Sequence, residues 1–134
     1  MGFSLMGMLA ADDVYVMCRT GISMACDVVV AMLPDISGDD AVELACPVGG
    51  TMTTLDIIGR YGTGPGFDPG TQWGNAMNGT ADNTLRRDCN VTIGDRNATN
   101  PFNPATQWTA VGANNASGLG VRTCPCPMVD LTCP

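Results

Sequence analysis

The sequence predicts an all-β chain built around one sandwich-like unit, on three observations. Glycine and proline are abundant, at 17 and 9 of 134 residues. The helix-favouring charged residues are nearly absent, with Glu43 the sole glutamate and no lysine at all, while threonine and valine recur; that balance favours short strands and many turns. The stretch from Ile36 to Trp73 then reads as a polar turn at Ser37-Gly38-Asp39-Asp40, a strand over 41–46, a hairpin connection at Pro47-Val48-Gly49-Gly50, a second strand over 52–60, and a Gly/Pro-rich loop ending on Trp73. In this pair Val42 and Leu44 are expected to face the core with Glu43 outward, and Leu55, Ile57 and Gly59 to share one face.

Ahead of that pair, Asp13 to Cys18 alternates well enough for a strand, and Cys26 follows across the loop Arg19-Thr20-Gly21-Ile22-Ser23. A disulfide between Cys18 and Cys26 would close this loop easily. The apolar run over 27–33 is a buried strand or a short helix, and its three valines favour the strand. Downstream, 82–91 reads as a strand and Gly94-Asp95-Arg96-Asn97 as a turn. Residues 111–120 read as an Asn/Gly/Ser loop.

An internal echo stands out. Phe67-Asp68-Pro69-Gly70-Thr71-Gln72-Trp73 and Phe102-Asn103-Pro104-Ala105-Thr106-Gln107-Trp108 share Phe, Pro, Thr, Gln and Trp in order. Two copies are too few for a solenoid. The physical content is an anchored turn, with proline fixing φ, Asp or Asn supporting the bend, and Phe67, Trp73, Phe102 and Trp108 as aromatic anchors. The other reading is an aromatic platform for sugar.

The net charge of −7, thirteen acidic against six basic residues, argues against nucleic acid as a partner. Arg86-Arg87 on a strand point to opposite faces and make no patch, one stem being expected inward. No run approaches the roughly 18 apolar residues of a membrane helix. The apolar segment from Phe3 to Ala11 lacks a preceding basic region and makes a poor signal peptide. Seven cysteines without a single histidine favour disulfides over a zinc site. The candidates are Cys18, Cys26, Cys46, Cys89, Cys124, Cys126 and Cys133, with Cys46 and Cys89 a reasonable pair if their strands are neighbours. Seven is odd, so one cysteine is free or bonds another chain, and Cys133 is the candidate for an intermolecular bridge. Sequons at Asn78, Asn90, Asn97 and Asn115 lie in polar, turn-like sequence suited to N-linked glycans. Together these features point to an extracellular or cell-surface protein.

Catalysis finds little support. With neither histidine nor lysine, the common general bases are missing, and no catalytic, cofactor-binding or metal-ligating residue is expected. Asp39-Asp40 could be a calcium or acid/base pair, but a turn capped by its own carboxylates is the simpler account. Cys124-Pro125-Cys126 on extended chain would send its thiols to opposite sides, toward different partners.

The ordered set Leu9-Ala10-Ala11-Asp12-Asp13-Val14-Tyr15-Val16, Gly38-Asp39-Asp40-Ala41-Val42-Glu43-Leu44, Asp56-Ile57-Ile58-Gly59, Thr71-Gln72-Trp73-Gly74, Ala81-Asp82-Asn83-Thr84-Leu85-Arg86-Arg87, Gly94-Asp95, Phe102-Asn103-Pro104, Gln107-Trp108 and Gly118-Leu119-Gly120 resembles the bacterial branch of the lamin-tail domain family. The resemblance runs from about Leu9 to Gly120 and implies an immunoglobulin-like β-sandwich, taken as residues 1–120; the three prolines and alternating Val129 and Leu131 beyond it suggest an extended Cys/Pro-rich tail over 121–134. It also implies a role in attachment or binding at the cell surface, and it brings no catalytic residues. The family's opening strands have no counterpart here. A sandwich without them would leave unpaired edges, and three explanations compete: the sequence is incomplete, the chain is rearranged, or a neighbouring copy supplies the strand by complementation, a head-to-tail exchange that builds a filament. The expected function is therefore a non-enzymatic structural subunit that polymerises with copies of itself and carries N-linked glycans. The alternative is an attachment or binding module, in one form carbohydrate-binding, belonging to a larger secreted enzyme such as a nuclease.

Overall fold

The structure is a computed structural model, and it describes residues 2, 4–10, 13–22, 26–31, 36–121 and 124. Strands dominate, with a single 3-10 turn and no α-helix among the described residues. The strands are β1 (Met17–Arg19), β2 (Val28–Val30), β3 (Val42–Val48), β4 (Thr51–Ile58), β5 (Leu85–Arg87) and β6 (Trp108–Ala110). They pair two by two, β1 with β2, β3 with β4 and β5 with β6. The chain is thus all-β, made of small two-stranded sheets.

Two compact units divide it, one from residues 1–34 with 116–125, the other from 35–115 with 126–134. In the first unit, β1 and β2 run parallel, with Cys18 opposite Val29. Parallel strands ordinarily need a crossover of about a dozen residues or more; here a disulfide and a carboxylate close a shorter one. Cys18 and Cys26 are bonded, their Cα atoms 5.9 Å apart. Asp27 accepts the Val16 N–H at 2.6 Å and returns its own N–H to the Val16 carbonyl at 2.8 Å. Val16 and Cys18 are the buried apolar residues of this unit among the described residues.

In the second unit, β3 and β4 form an antiparallel hairpin, and both strands extend further into the connection than the sequence suggests. The turn is Gly49-Gly50 alone, with φ +56° and +84°. Positive φ at both central residues suits the right-handed twist of a two-residue hairpin, and glycine takes it without strain. Pro47 and Val48 belong to β3.

One irregularity changes which side chains are covered. The register passes from Leu44 opposite Asp56 to Ala45 opposite Thr54, leaving Leu55 as an extra residue on β4. Leu55 and Ile57 on β4 and Gly59 just past its end alternate as buried residues. Across from them, however, the buried residue of β3 is Cys46, while Val42 is 40% exposed and Leu44 half-buried. Strict alternation would bury Val42 and Leu44, but the bulge breaks it, and Val42 comes to lie opposite Ile58 rather than against the core. The core of this unit is Cys46, Leu55, Ile57, Trp73 and Ala98 with the fully buried Pro104.

The strand expected over 82–91 is confined to β5, and β6, which starts on Trp108 where the second echo ends, is its antiparallel partner through Leu85–Ala110, Arg86–Thr109 and Arg87–Trp108. Apart from Val121 and Cys124, the expected tail lies outside the described residues.

Candidate functional site

The two echo motifs fold alike. In the first, the Asp68 carboxylate accepts the N–H of Gly70 at 2.7 Å. In the second, the Asn103 side chain accepts the N–H of Ala105 at 3.1 Å and caps the 3-10 turn Pro104–Thr106. The glutamines also play matching parts, Gln72 accepting from the Ala81 N–H and Gln107 from the Arg87 guanidinium. An Asx-supported proline turn followed by an accepting glutamine is thus the common unit.

The motifs also meet. Phe102 approaches the Trp73 indole edge-on, centroids 6.1 Å apart and planes at 84°, the geometry that ring quadrupoles favour. Pro104 packs against Gly74, where a Cβ would stand 2.7 Å from the proline Cγ. Trp73 itself is 5% exposed. Its indole N–H donates to the Asp40 carbonyl at 3.2 Å, and its backbone N–H reaches Gly38 O at 3.2 Å and the Thr80 hydroxyl at 3.0 Å. Thr80 in turn donates to Gly38 O. This clamp ties the turn before β3 to the end of the first motif.

Trp108 has a different environment. Arg87 lies over its ring, Cζ 4.9 Å from the centroid, in a cation–π arrangement. The same guanidinium grips the Asp56 carboxylate with both of its terminal nitrogens. Asp56 further accepts the N–H groups of Asp95 at 2.8 Å and Ile57 at 3.0 Å. One carboxylate on β4 therefore holds β5, the loop at Asp95 and, through Arg87, the second motif. The Arg87 Nε and Trp108 Nε1 atoms are buried without an acceptor among the described residues.

Phe67 sits under Arg60, whose Cζ is 4.4 Å from the ring centroid and whose Nε donates to Gly66 O at 2.8 Å. Asp39 and Asp40 both accept from Ser37, Asp40 taking its N–H at 2.8 Å and its hydroxyl at 3.0 Å. That is the self-capped turn, and no group of three or more metal-ligating side chains gathers among the described residues.

Cys46, Cys89 and Cys124 are each disulfide-bonded; Cys126 and Cys133 lie outside the described residues. Of the sequon asparagines, Asn90 and Asn97 are exposed, Asn78 and Asn115 half-buried.

Sequence reasoning missed the most connected side chain. Asp56 sits between Leu55 and Ile57 in an apolar strand, and a carboxylate in such a setting calls for a partner. That signal was present, but the partner, Arg87, is 31 residues away in the chain. Thr80 left no comparable signal.

An all-β, disulfide-bonded chain, in which no described helix is long and apolar enough to cross a membrane, is the class the fold defines. Comparison with models of known families, with curated proteins and with solved structures finds no match.

Proposed function

We propose that this protein is an extracellular, non-enzymatic structural subunit with a lamin-tail-like, immunoglobulin-like sandwich as its plan, which joins copies of itself by β-strand complementation into a glycosylated filament. The observation that carries this reading is the open hairpin: among the described residues β3 and β4 pair only with each other. An unpaired strand edge is a template for another chain.

The two edges are not equivalent. On β4, Gly94 lies against the Leu55 carbonyl and Asp95 hangs from Asp56, so the loop at 94–95 occupies that strand's flank. On β3, residues 42–46 make no backbone hydrogen bond to any segment but β4 among the described residues, which leaves that strand the more open acceptor, with Pro47 ending its row of donors. Val42 and Met52 expose apolar surface on the same hairpin, at 40% and 64%. A donor is at hand in residues 4–10, which lie outside any strand and expose Leu5, Met6, Met8 and Leu9. Disulfides in a chain with this sequon content support an extracellular setting.

Negative-stain microscopy and sedimentation of native material test the proposal. Fibres or head-to-tail oligomers are expected, and a compact monomer at micromolar concentration contradicts it.

The second reading, an attachment module of a larger secreted enzyme, draws on the family resemblance. Its carbohydrate-binding form is weakened by the aromatic geometry, since Trp73 is buried and Arg87 covers a face of Trp108.

A further inference from the structure

The four sequons are not chemically equivalent in the folded domain, and we propose that Asn97 is its principal glycan acceptor, with Asn90 a weaker one and Asn78 and Asn115 unmodified. This rests on the glycoprotein part of the reading above and assigns it to particular residues.

Asn97 is presented by a loop held from both sides. Asp95 fixes the entry by donating its N–H to Asp56 at 2.8 Å, and its own carboxylate accepts the Asn97 N–H at 2.9 Å. The next residue, Ala98, is buried, and its carbonyl accepts the Tyr61 N–H at 3.0 Å. On either side of that buried pin, Asn97 and Thr99 are both exposed. Within the sequon, the Asn97 Oδ1 accepts the Thr99 N–H at 3.1 Å and the Thr99 hydroxyl at 2.8 Å. The amide oxygen is thereby fixed by the two groups that define the sequon, while Nδ2, the atom to be modified, has no partner among the described residues.

The other sequons lack one part or another of this arrangement. At Asn78-Gly79-Thr80, the asparagine is half-buried and the Thr80 hydroxyl proton is committed to backbone carbonyls of the Trp73 clamp. This sequon is there because the fold needs Thr80. At Asn115, the amide nitrogen itself is used, Nδ2 donating to Val111 O at 3.0 Å while the backbone N–H donates to the Thr84 hydroxyl at 3.1 Å. The nitrogen to be modified is thus already engaged in closing the loop. Asn90 is exposed, but its side chain makes no bond to Thr92, which is half-buried.

The co-reactant is a sugar carried on a lipid pyrophosphate, delivered by an oligosaccharyltransferase. The Asn97 nitrogen attacks the anomeric carbon, and the carbon–oxygen bond to the pyrophosphate breaks. Its electron pair leaves with the pyrophosphate, and one amide proton passes to a carboxylate of the transferase.

The test offers the full-length, folded, oxidised chain, made without glycosylation, to a purified single-subunit oligosaccharyltransferase and its lipid-pyrophosphate donor. Site occupancy is read by peptide mass spectrometry over time. Asn97 should fill several-fold faster than Asn90, with Asn78 and Asn115 empty, and Asn97→Gln should remove most of the added mass while Asn115→Gln removes none. Occupancy of Asn78, Asn90 or Asn115 equal to or above that of Asn97 overturns the assignment. The same mapping on native material separates the two claims: glycan at none of the sequons sinks the glycoprotein reading, whereas the order of filling in vitro judges the assignment itself.

Discussion

Phe102 meets Trp73 edge to face at 6.1 Å, and through this contact the two copies of one short motif become parts of one core. The pair should show energetic coupling beyond the area each buries. In a double-mutant cycle of Trp73→Leu and Phe102→Leu, followed by denaturant unfolding, we expect a coupling of about 0.5–1.5 kcal/mol. Additive losses would mean that the rings are merely neighbours.

Gly59 adopts φ +81°, and a Cβ there would lie 2.8 Å from the Trp73 indole nitrogen and 3.1 Å from Ala41 Cα. Gly59→Ala therefore combines backbone strain with displacement of the indole from the Asp40 carbonyl. A loss of about 1–3 kcal/mol is expected in thermal or denaturant unfolding, accompanied by a red shift of tryptophan emission as the indole loosens.

Asp56 and Arg87 should respond unequally to truncation. Removing Asp56 leaves the Arg87 guanidinium with only the neutral Gln107 acceptor and two backbone N–H groups with none at once; removing Arg87 leaves a carboxylate that still accepts from Asp95 and Ile57. Asp56→Ala is accordingly expected to cost more than Arg87→Met, the first roughly 2–4 kcal/mol given that both side chains retain some solvent. Unfolding midpoints of the two variants decide the order, and the reverse order would count against the hub role of Asp56.

The Cys18–Cys26 bridge closes a loop with a separation of 8, for which chain entropy gives a stabilisation of about 2–3 kcal/mol. Cys18→Ser paired with Cys26→Ser should lower protection from hydrogen exchange in residues 13–31 while leaving the β3–β4 hairpin unchanged. Uniform loss across the chain would show that the bridge supports more than its own unit.

The elements that could be read from the sequence are those fixed by local chemistry. The connection expected at Pro47-Val48-Gly49-Gly50 marked the hairpin, though its first two residues belong to β3, and the valines marked β2. The exposure of Val42 and the half-burial of Leu44 could not be read, because they depend on a bulge at Leu55 that no local residue signals. β6 was hidden for a related reason: its pairing with β5 is a long-range choice, and the residues before it look like the end of a turn. Asp56 was conspicuous as a carboxylate in an apolar strand, but only the folded chain brings Arg87 and Gln107 to it. Among the sequons, sequence alone treats all four alike. The difference between Asn97 and Asn115 lies in which amide nitrogen is already hydrogen-bonded.

The central claim is that a foreign strand occupies the open side of β3. Amide hydrogen exchange on native material, compared with the same material dissociated to single subunits, tests it most directly. We expect the outward-facing amides of residues 42–46 to be protected in the assembly and to exchange rapidly in the separated subunit, with residues 4–10 gaining protection in parallel. Identical exchange of both segments in the two states, or native material that is monomeric throughout, would contradict the account.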